Sequence, residues 1–153
     1  MPRTSAGLLP FTTAKGVTRV FLGRMGGPAW TRRPRAWTVL KGEYHEGEDA
    51  LAAAEREFAE EVGVAAPAGP RLDLGEVRQS GGKRVRVWAV SAEPALAFVS
   101  SNLVEMEWPP RSGRRVTFPE IDRAEWHDLD TAREIVVAAQ AVFLDRLLEM
   151  LAR

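Results

Sequence analysis

Apolar residues recur with period two in some stretches of this chain and with helical spacing in others, and the changes of period mark its predicted elements. Ser5 to Phe11 and Val17 to Leu22 read as a strand pair joined by a Thr/Lys/Gly turn; in the second run Val17, Arg19 and Phe21 alternate with Thr18, Val20 and Leu22. Gly23 to Arg35, rich in Gly, Pro and Arg, reads as a loop, and Ala36 to Leu40 as a short strand ending at Lys41-Gly42. From about Asp49 to Val62 the spacing is helical, with Gly63 at the left-handed capping position. Pro67 to Pro70 reads as a linker. Strands near Leu72 to Gln79 and Lys83 to Val90 flank a Ser80-Gly81-Gly82 hairpin turn. Two further strands are expected, near Leu103 to Trp108 and around Ala124 to His127, the first leading into Pro109-Pro110-Arg111-Ser112-Gly113. A final helix is predicted from Thr131 to about Leu151, with Thr131 and Glu134 at capping-box spacing. Its apolar stripe of Phe143, Leu147, Met150 and Leu151 suits packing on a sheet, or a dimer contact. Strands outnumber helices, so the expected fold class is α/β or α+β: a mixed sheet covered by helices, in one domain spanning residues 1–153.

Composition narrows what such a domain does. At 153 residues the chain has the length of one domain, able to bury about two-thirds of its unfolded surface. It has no cysteine, which excludes disulfides, zinc-thiolate sites, iron–sulfur clusters and a thiol nucleophile. The 21 Lys+Arg balance 21 Asp+Glu, and zero net charge argues against a general nucleic-acid binder, which relies on a basic surplus. Met1 to Phe11 lacks a signal-peptide core, and the most apolar tract, Ile135 to Ala139, is far short of the roughly 18 residues of a membrane span. A cytoplasmic protein without membrane contact is expected. The zero balance is nevertheless a cancellation. Eight of the 21 acids (Glu43, Glu46, Glu48, Asp49, Glu55, Glu57, Glu60, Glu61) fall in one 19-residue segment whose only Arg or Lys is Arg56, while arginines gather on either side.

With Glu57 at zero on a helix advancing about 100° per residue, Glu60 falls near −60° and Glu61 near +40°. Leu51, Phe58 and Val62 fall at roughly +100° to +140°, so an apolar stripe is expected to pack the helix while the acidic stripe points elsewhere. Like charges at these spacings, two of them in the last turn, destabilise the helix. Arg56 relieves part of the repulsion. The face is then either a solvated acidic surface or a set of oxygen ligands for a hard divalent cation such as Mg2+.

The full spacing bears on that choice. Gly42, five residues, Glu48, seven residues, Arg56-Glu57-Phe58, one residue, Glu60-Glu61, one residue, Gly63-Val64 resembles the Nudix box of the Nudix hydrolases, with Phe58 in place of the more usual Ile, Leu or Val. Ser5-Ala6-Gly7 before an apolar strand, Trp37 ahead of the box, and Glu125-Trp126 followed by Leu129 are also similar to family members, so the resemblance covers essentially the whole chain. It implies an α/β/α sandwich around a mixed sheet, dependence on Mg2+ or Mn2+, and hydrolysis of a diphosphate linkage in a nucleoside diphosphate joined to another moiety. It implies Glu57, Glu60, Glu61 and the Gly42 carbonyl as metal ligands, Glu57 or Glu61 as acceptor of the attacking water's proton, and Glu48 and Arg56 as supports through ionic hydrogen bonds. The chemistry is consistent: phosphoryl transfer is mostly positioning and charge neutralisation, and without a cation an acidic site repels its own substrate.

Substrate contacts are sought in the basic segments. The Lys41-Gly42 lead-in is similar to the branch that cleaves diadenosine polyphosphates or diphosphoinositol phosphates, although Leu40 replaces that branch's usual proline. Lys41 is a candidate point charge for a phosphate. The stretch from Asn102 to Pro119 resembles bacterial Nudix proteins described as predicted nucleoside triphosphate pyrophosphohydrolases. Here Arg111, Arg114 and Arg115 are read as a clamp for distal phosphates and Trp108 as a base-stacking surface. Trp30 is a second candidate base platform, beside Arg32, Arg33 and Arg35. Glu105, Glu107 and Glu120 are candidates for a carboxylate outside the box. Trp37 is read as core, Lys83, Arg84 and Arg86 as a solvated face, and His45 and His127 as ordinary loop or surface histidines.

The expected function is a Mg2+-dependent pyrophosphohydrolase acting on a small phosphorylated nucleotide, a nucleoside triphosphate or dinucleoside polyphosphate, as a monomer or homodimer. The alternatives are removal of pyrophosphate from RNA 5′ ends, which the neutral charge disfavours, and a non-catalytic nucleotide sensor, which the retained box carboxylates disfavour.

Overall fold

β1 (Thr4–Thr12) lies at the centre of the sheet in the computed structural model, which describes residues 3–153. Along one edge it pairs antiparallel with β4 (Leu40–Glu43) near its start and with β2 (Arg19–Met25) near its end. Along the other edge it runs parallel to β6 (Arg84–Ser91), beyond which lies β5 (Leu72–Arg78). β3 (Trp37–Thr38) and β9 (Ile121–Asp128) both pair with β2. One parallel pair among antiparallel ones makes the sheet mixed, as expected.

Period-two alternation divides each central strand between two layers. Ala6, Leu8, Phe21 and Trp88 meet Ala53, Ala54, Phe58 and Val62 of α1 (Ala50–Val62). Leu9, Phe11, Val20, Leu22, Val85 and Val87 turn the other way, onto Phe143, Leu144 and Leu147 of α3 (Ala141–Leu151). The result is an α/β/α sandwich, each fully buried Leu, Val or Phe contributing about 1.5–3 kcal/mol. The stripe of the last helix therefore packs on the sheet. Among the described residues no helix is long and apolar enough to cross a membrane.

Four elements differ from expectation. The strand predicted from Ala36 to Leu40 is two, β3 and β4, separated at Val39 because β3 pairs with β2 and β4 with β1, and β4 runs on through Lys41-Gly42 to Glu43. β2 continues through Gly23-Arg24-Met25, predicted as loop, because β9 supplies a partner strand of eight residues, longer than the predicted one. β8 (Arg115–Pro119) is an unpredicted strand, antiparallel to β7 (Leu103–Glu107) in a separate two-stranded sheet. The predicted final helix is two helices. α2 (Leu129–Ile135) is capped by Asp128, whose carboxylate accepts from the Thr131 amide at 2.8 Å, and the chain breaks at Val136, which is extended. The adjacent β-branched residues Val136 and Val137 do not continue the helix. Val137 N–H instead donates to the Trp37 carbonyl at 2.9 Å, before a 3-10 turn at Ala138–Gln140.

Candidate active site

α1 carries most of the acidic box, and both of its ends are fixed. Asp49 accepts from the Ala52 amide at 2.9 Å, and Gly63, at φ 86°, donates its N–H to the Ala59 carbonyl at 2.9 Å. The helix's last free carbonyls are taken by the segment before β7. Val99 and Ser100 donate to the Val62 carbonyl at 2.8 and 3.1 Å, and Asn102 donates to that of Glu60 at 3.2 Å. This docking carries Asn102 and Glu120 to the acidic helix: the Glu120 amide donates to the Asn102 carbonyl, and Asn102 Nδ2 donates to Glu120 Oε2 at 2.9 Å.

Arg56 organises the exposed carboxylates. Its guanidinium donates to Glu48 at 3.1 Å, Glu57 at 2.9 Å and Glu60 at 3.4 Å, tying the loop before α1 to the helix. These ionic bonds, that to Glu48 foremost, raise its already high pKa. Gly42 leaves room for the Glu57 carboxylate, since a Cβ there would stand 2.0 Å from Glu57 Cδ. Partial burial, and then Glu60, raise the Glu57 pKa against the pull of Arg56.

Glu61 departs from the expected outward acidic stripe. It is 2% exposed, on the side of α1 that meets the sheet, and its Oε2 has no hydrogen-bond partner. Burial raises its pKa well above the carboxylate range, the Glu120 charge adds to this, and the Lys41 ammonium opposes it. Lys41 in turn is lowered to about 8 by burial and by the neighbouring Lys83, with Glu61 pulling the other way. Lys83 arrives through strand register: Ser5 pairs with Glu43 on one side and Val85 on the other, and Lys83 Nζ stands 3.8 Å from the Glu43 carboxylate.

These groups share a cavity of about 390 Å³ lined by Lys41, Lys83, Glu61 and Glu120 together with Trp30, Met106 and Phe118. An adjoining cleft of about 320 Å³ joins Lys41, Lys83 and Glu120 to Gly42, Glu57, Glu60 and Asn102. Among the described residues, no three His, Cys, Asp or Glu side chains stand close enough together to hold a metal ion in this arrangement; Glu57 and Glu60 are drawn to Arg56.

Lys41 and Trp30 thus line the cavity, and of the carboxylates considered outside the box, Glu120 and Glu105 do. Glu107 instead accepts from the Arg111 amide at 2.7 Å. Trp108, Arg111, Arg114 and Arg115 lie at the far end of the β7–β8 hairpin, and none of them lines the cavity or the cleft. Arg115 pairs with Glu105, and Arg35 bonds the carbonyls of Arg133 and Val136, ending α2. Lys83, expected on a solvated face, belongs to the site, as do Asn102, Met106 and Phe118, which sequence reasoning missed. A usable signal for Lys83 was its place immediately after the Gly81-Gly82 turn, at the start of a strand. Trp37 is core as expected, but His127 is half-buried, edge-on to Trp37 at 4.5 Å.

A family model for the NUDIX domain matches residues 1–147. No curated protein sequence matches the chain. Solved structures share its fold at low identity. The C. elegans Ap4A hydrolase in a binary complex is 22% identical, with a TM-score of 0.67 and 98% of each chain covered. A mutT/nudix family protein from Listeria innocua is 15% identical (TM-score 0.64, 99% of this chain and 96% of that one). The NUDIX domain of Shewanella oneidensis NrtR, complexed with ADP ribose, is 13% identical (TM-score 0.63, 99% of this chain and 89% of that one).

Proposed function

The chain belongs to the Nudix family, hydrolases of the pyrophosphate bond, and on that premise we propose that it cuts a diphosphate linkage within a nucleotide, a nucleoside triphosphate or a dinucleoside polyphosphate. We assign the catalysis to one domain of residues 1–153. The observation that carries this reading is the joined cavity and cleft, where buried Glu61 meets Lys41, Lys83 and Glu120 beside Glu57 and Glu60. Two lysines next to a carboxylate cluster suit a phosphate chain, whose remaining charge a cation held by the carboxylates would offset.

The donor set fits Mg2+ or Mn2+. All its atoms are hard oxygens, one Glu61 oxygen is buried without a partner, and the missing side chain at Gly42 leaves the space that Glu57 occupies. Glu57, Glu60, Glu61 and the Gly42 carbonyl would hold the ion; when bound it supplies charge neutralisation and acidifies a coordinated water. Arg56 and Glu48 hold the loop and helix in register. Lys41 and Lys83 fix phosphate oxygens as point charges. Glu57 and Glu61, both with raised proton affinity, are the candidates to take the proton of the attacking water.

Purified protein with Mg2+ or Mn2+ is expected to hydrolyse members of a nucleotide panel. Glu60→Gln combined with Glu61→Gln should reduce the rate by at least about 100-fold, the scale of losing an electrostatic group that stabilises the transition state. Activity surviving the double substitution overturns this assignment. Products formed in ¹⁸O-labelled water report which phosphorus is attacked.

A further inference from the structure

Val39 lies where the chain changes sheet partner, between β3 on β2 and β4 on β1. It is buried, so its peptide groups need hydrogen-bond partners from outside the strand ladders. Gln140, at the start of α3, supplies them together with Thr38. Gln140 Oε1 accepts from the Val39 N–H at 2.9 Å, and the Thr38 hydroxyl donates to the Val39 carbonyl at 2.9 Å. Gln140 Nε2 donates to that hydroxyl at 3.0 Å and to Gln79 Oε1 at 2.9 Å. A carboxamide buried to 1% exposure thus uses both its donors and its acceptor. The break after α2 brings it there: Val136 bridges to Trp37, Val137 N–H donates to the Trp37 carbonyl, and the 3-10 turn that follows sets Gln140 against the next two residues, Thr38 and Val39.

The partners of Gln140 lead into the two lysines of the site. Val39 stands two residues before Lys41 in the chain. The Gln79 N–H donates to the Lys83 carbonyl at 2.7 Å, closing the β5–β6 hairpin at the residue that enters the cavity. Thr38 lines that cavity beside both lysines. Lys41 and Lys83 are like charges sharing one cavity and one cleft, so their side chains repel and the backbone that carries them must hold their spacing. A buried hydrogen bond adds little net stability over well-packed apolar groups of the same shape, whereas a fully bonded polar network fixes a single arrangement.

We infer that Gln140 is a positioning residue: from the layer across the sheet from α1 it ties the strand of Lys41 to the hairpin of Lys83, and so sets the spacing at which the two ammonium groups meet a substrate's phosphates. This deepens the hydrolase reading and rests on it for the role of the lysines. The side-chain bonds of Gln140 go to Thr38, Val39 and Gln79, none of them on α1. Its loss therefore weakens the hold on phosphate and leaves the box carboxylates in place.

The probe is methylenediphosphonate with Mn2+, a diphosphate analogue that is not hydrolysed, titrated by calorimetry. Gln140→Met, close in volume and without the hydrogen bonds, is expected to bind it about tenfold more weakly than wild type. Gln79→Met removes the hairpin arm alone and should weaken binding by about fivefold; this residue is half-buried, and it carries the test if Gln140→Met does not fold. In a Lys83→Met background, Gln79→Met should change binding by less than about twofold, because the group it positions is gone. In the nucleotide assay, Gln140→Met should raise KM by about tenfold and leave kcat within about threefold. Binding within about twofold of wild type in either folded variant overturns the inference. So does an equal loss from Gln79→Met with and without the Lys83 side chain, a fall in kcat at unchanged KM, or a wild-type protein that does not bind the probe. The hydrolase reading fails separately, in the nucleotide assay with the glutamate variants.

Discussion

A methyl group at Gly42 would occupy the place of the Glu57 carboxylate, 2.0 Å from Cδ, so Gly42→Ala forces that side chain away from its position beside the lysine cleft. Misplacing a reacting or ligating group by about 1 Å costs roughly 100-fold in rate. Gly42→Ala is expected to lose activity on that scale while its thermal midpoint stays close to wild type, because the displaced carboxylate can turn toward solvent; steady-state assays and a melt together check both halves. His127 makes a different demand. Burial lowers its pKa below 6.5, with Glu125 and Asp128 opposing and Arg123 assisting, and its Nε2 lacks a partner. Between the folded pKa and 6.5 the unfolded chain therefore binds more protons than the folded one. The His127 contribution to stability rises with pH through that window and is constant on either side of it. The drop in Tm from pH 7.5 to pH 5.5 should be smaller in His127→Gln than in wild type; an equal drop would remove His127 from the account.

α1 depends on its two ends for the position of every box carboxylate. Asp49→Ala should cost about 1 kcal/mol, the usual value of an N-cap. Gly63→Ala should cost more than Gly47→Ala, though both glycines have similar positive φ angles, 86° and 91°. At Gly47 a Cβ meets nothing within 4 Å, whereas at Gly63 it meets Ser100 at 2.7–2.9 Å in the segment that caps the helix. Expected losses are about 1 kcal/mol for Gly47→Ala and about 2–3 for Gly63→Ala, read from urea unfolding. The same contrast explains what was legible in the sequence. α1, its Gly63 cap and the β5–β6 hairpin were, because they are written in local spacing and turn residues. β8 was not: Arg115, Thr117 and Pro119 obscure the alternation of Val116 and Phe118, and its pairing partner lies across a proline-rich turn. The break after α2 was hidden as well, since Val136 leaves the helix for a bridge to Trp37, about a hundred residues away in the chain. Helical spacing and the resemblance to the Nudix box single out the carboxylates of α1, while the burial of Glu61, the approach of Lys83 and the distance of Trp108 and the hairpin arginines from the cavity follow from how strands pair.

Across the whole molecule, the sandwich fixes charge where isolated charge is unfavourable. The acidic segment and two lysines converge on one side of α1, with Glu61 sealed at 2% exposure and its pKa raised chiefly by burial. A buried ionised carboxylate lowers the stability of the metal-free fold. Sites adapted to function commonly carry such a penalty. A cation that binds only the folded chain reverses it, by about 2.7 kcal/mol at a concentration 100 times the dissociation constant. In EDTA, Glu61→Gln is therefore expected to melt above wild type. Added Mn2+ should raise the wild-type midpoint and reverse that order, and Glu60→Gln combined with Glu61→Gln should remove the Mn2+ response. A wild-type midpoint that ignores Mn2+ separates the acidic helix from cation binding, whatever activity the protein shows.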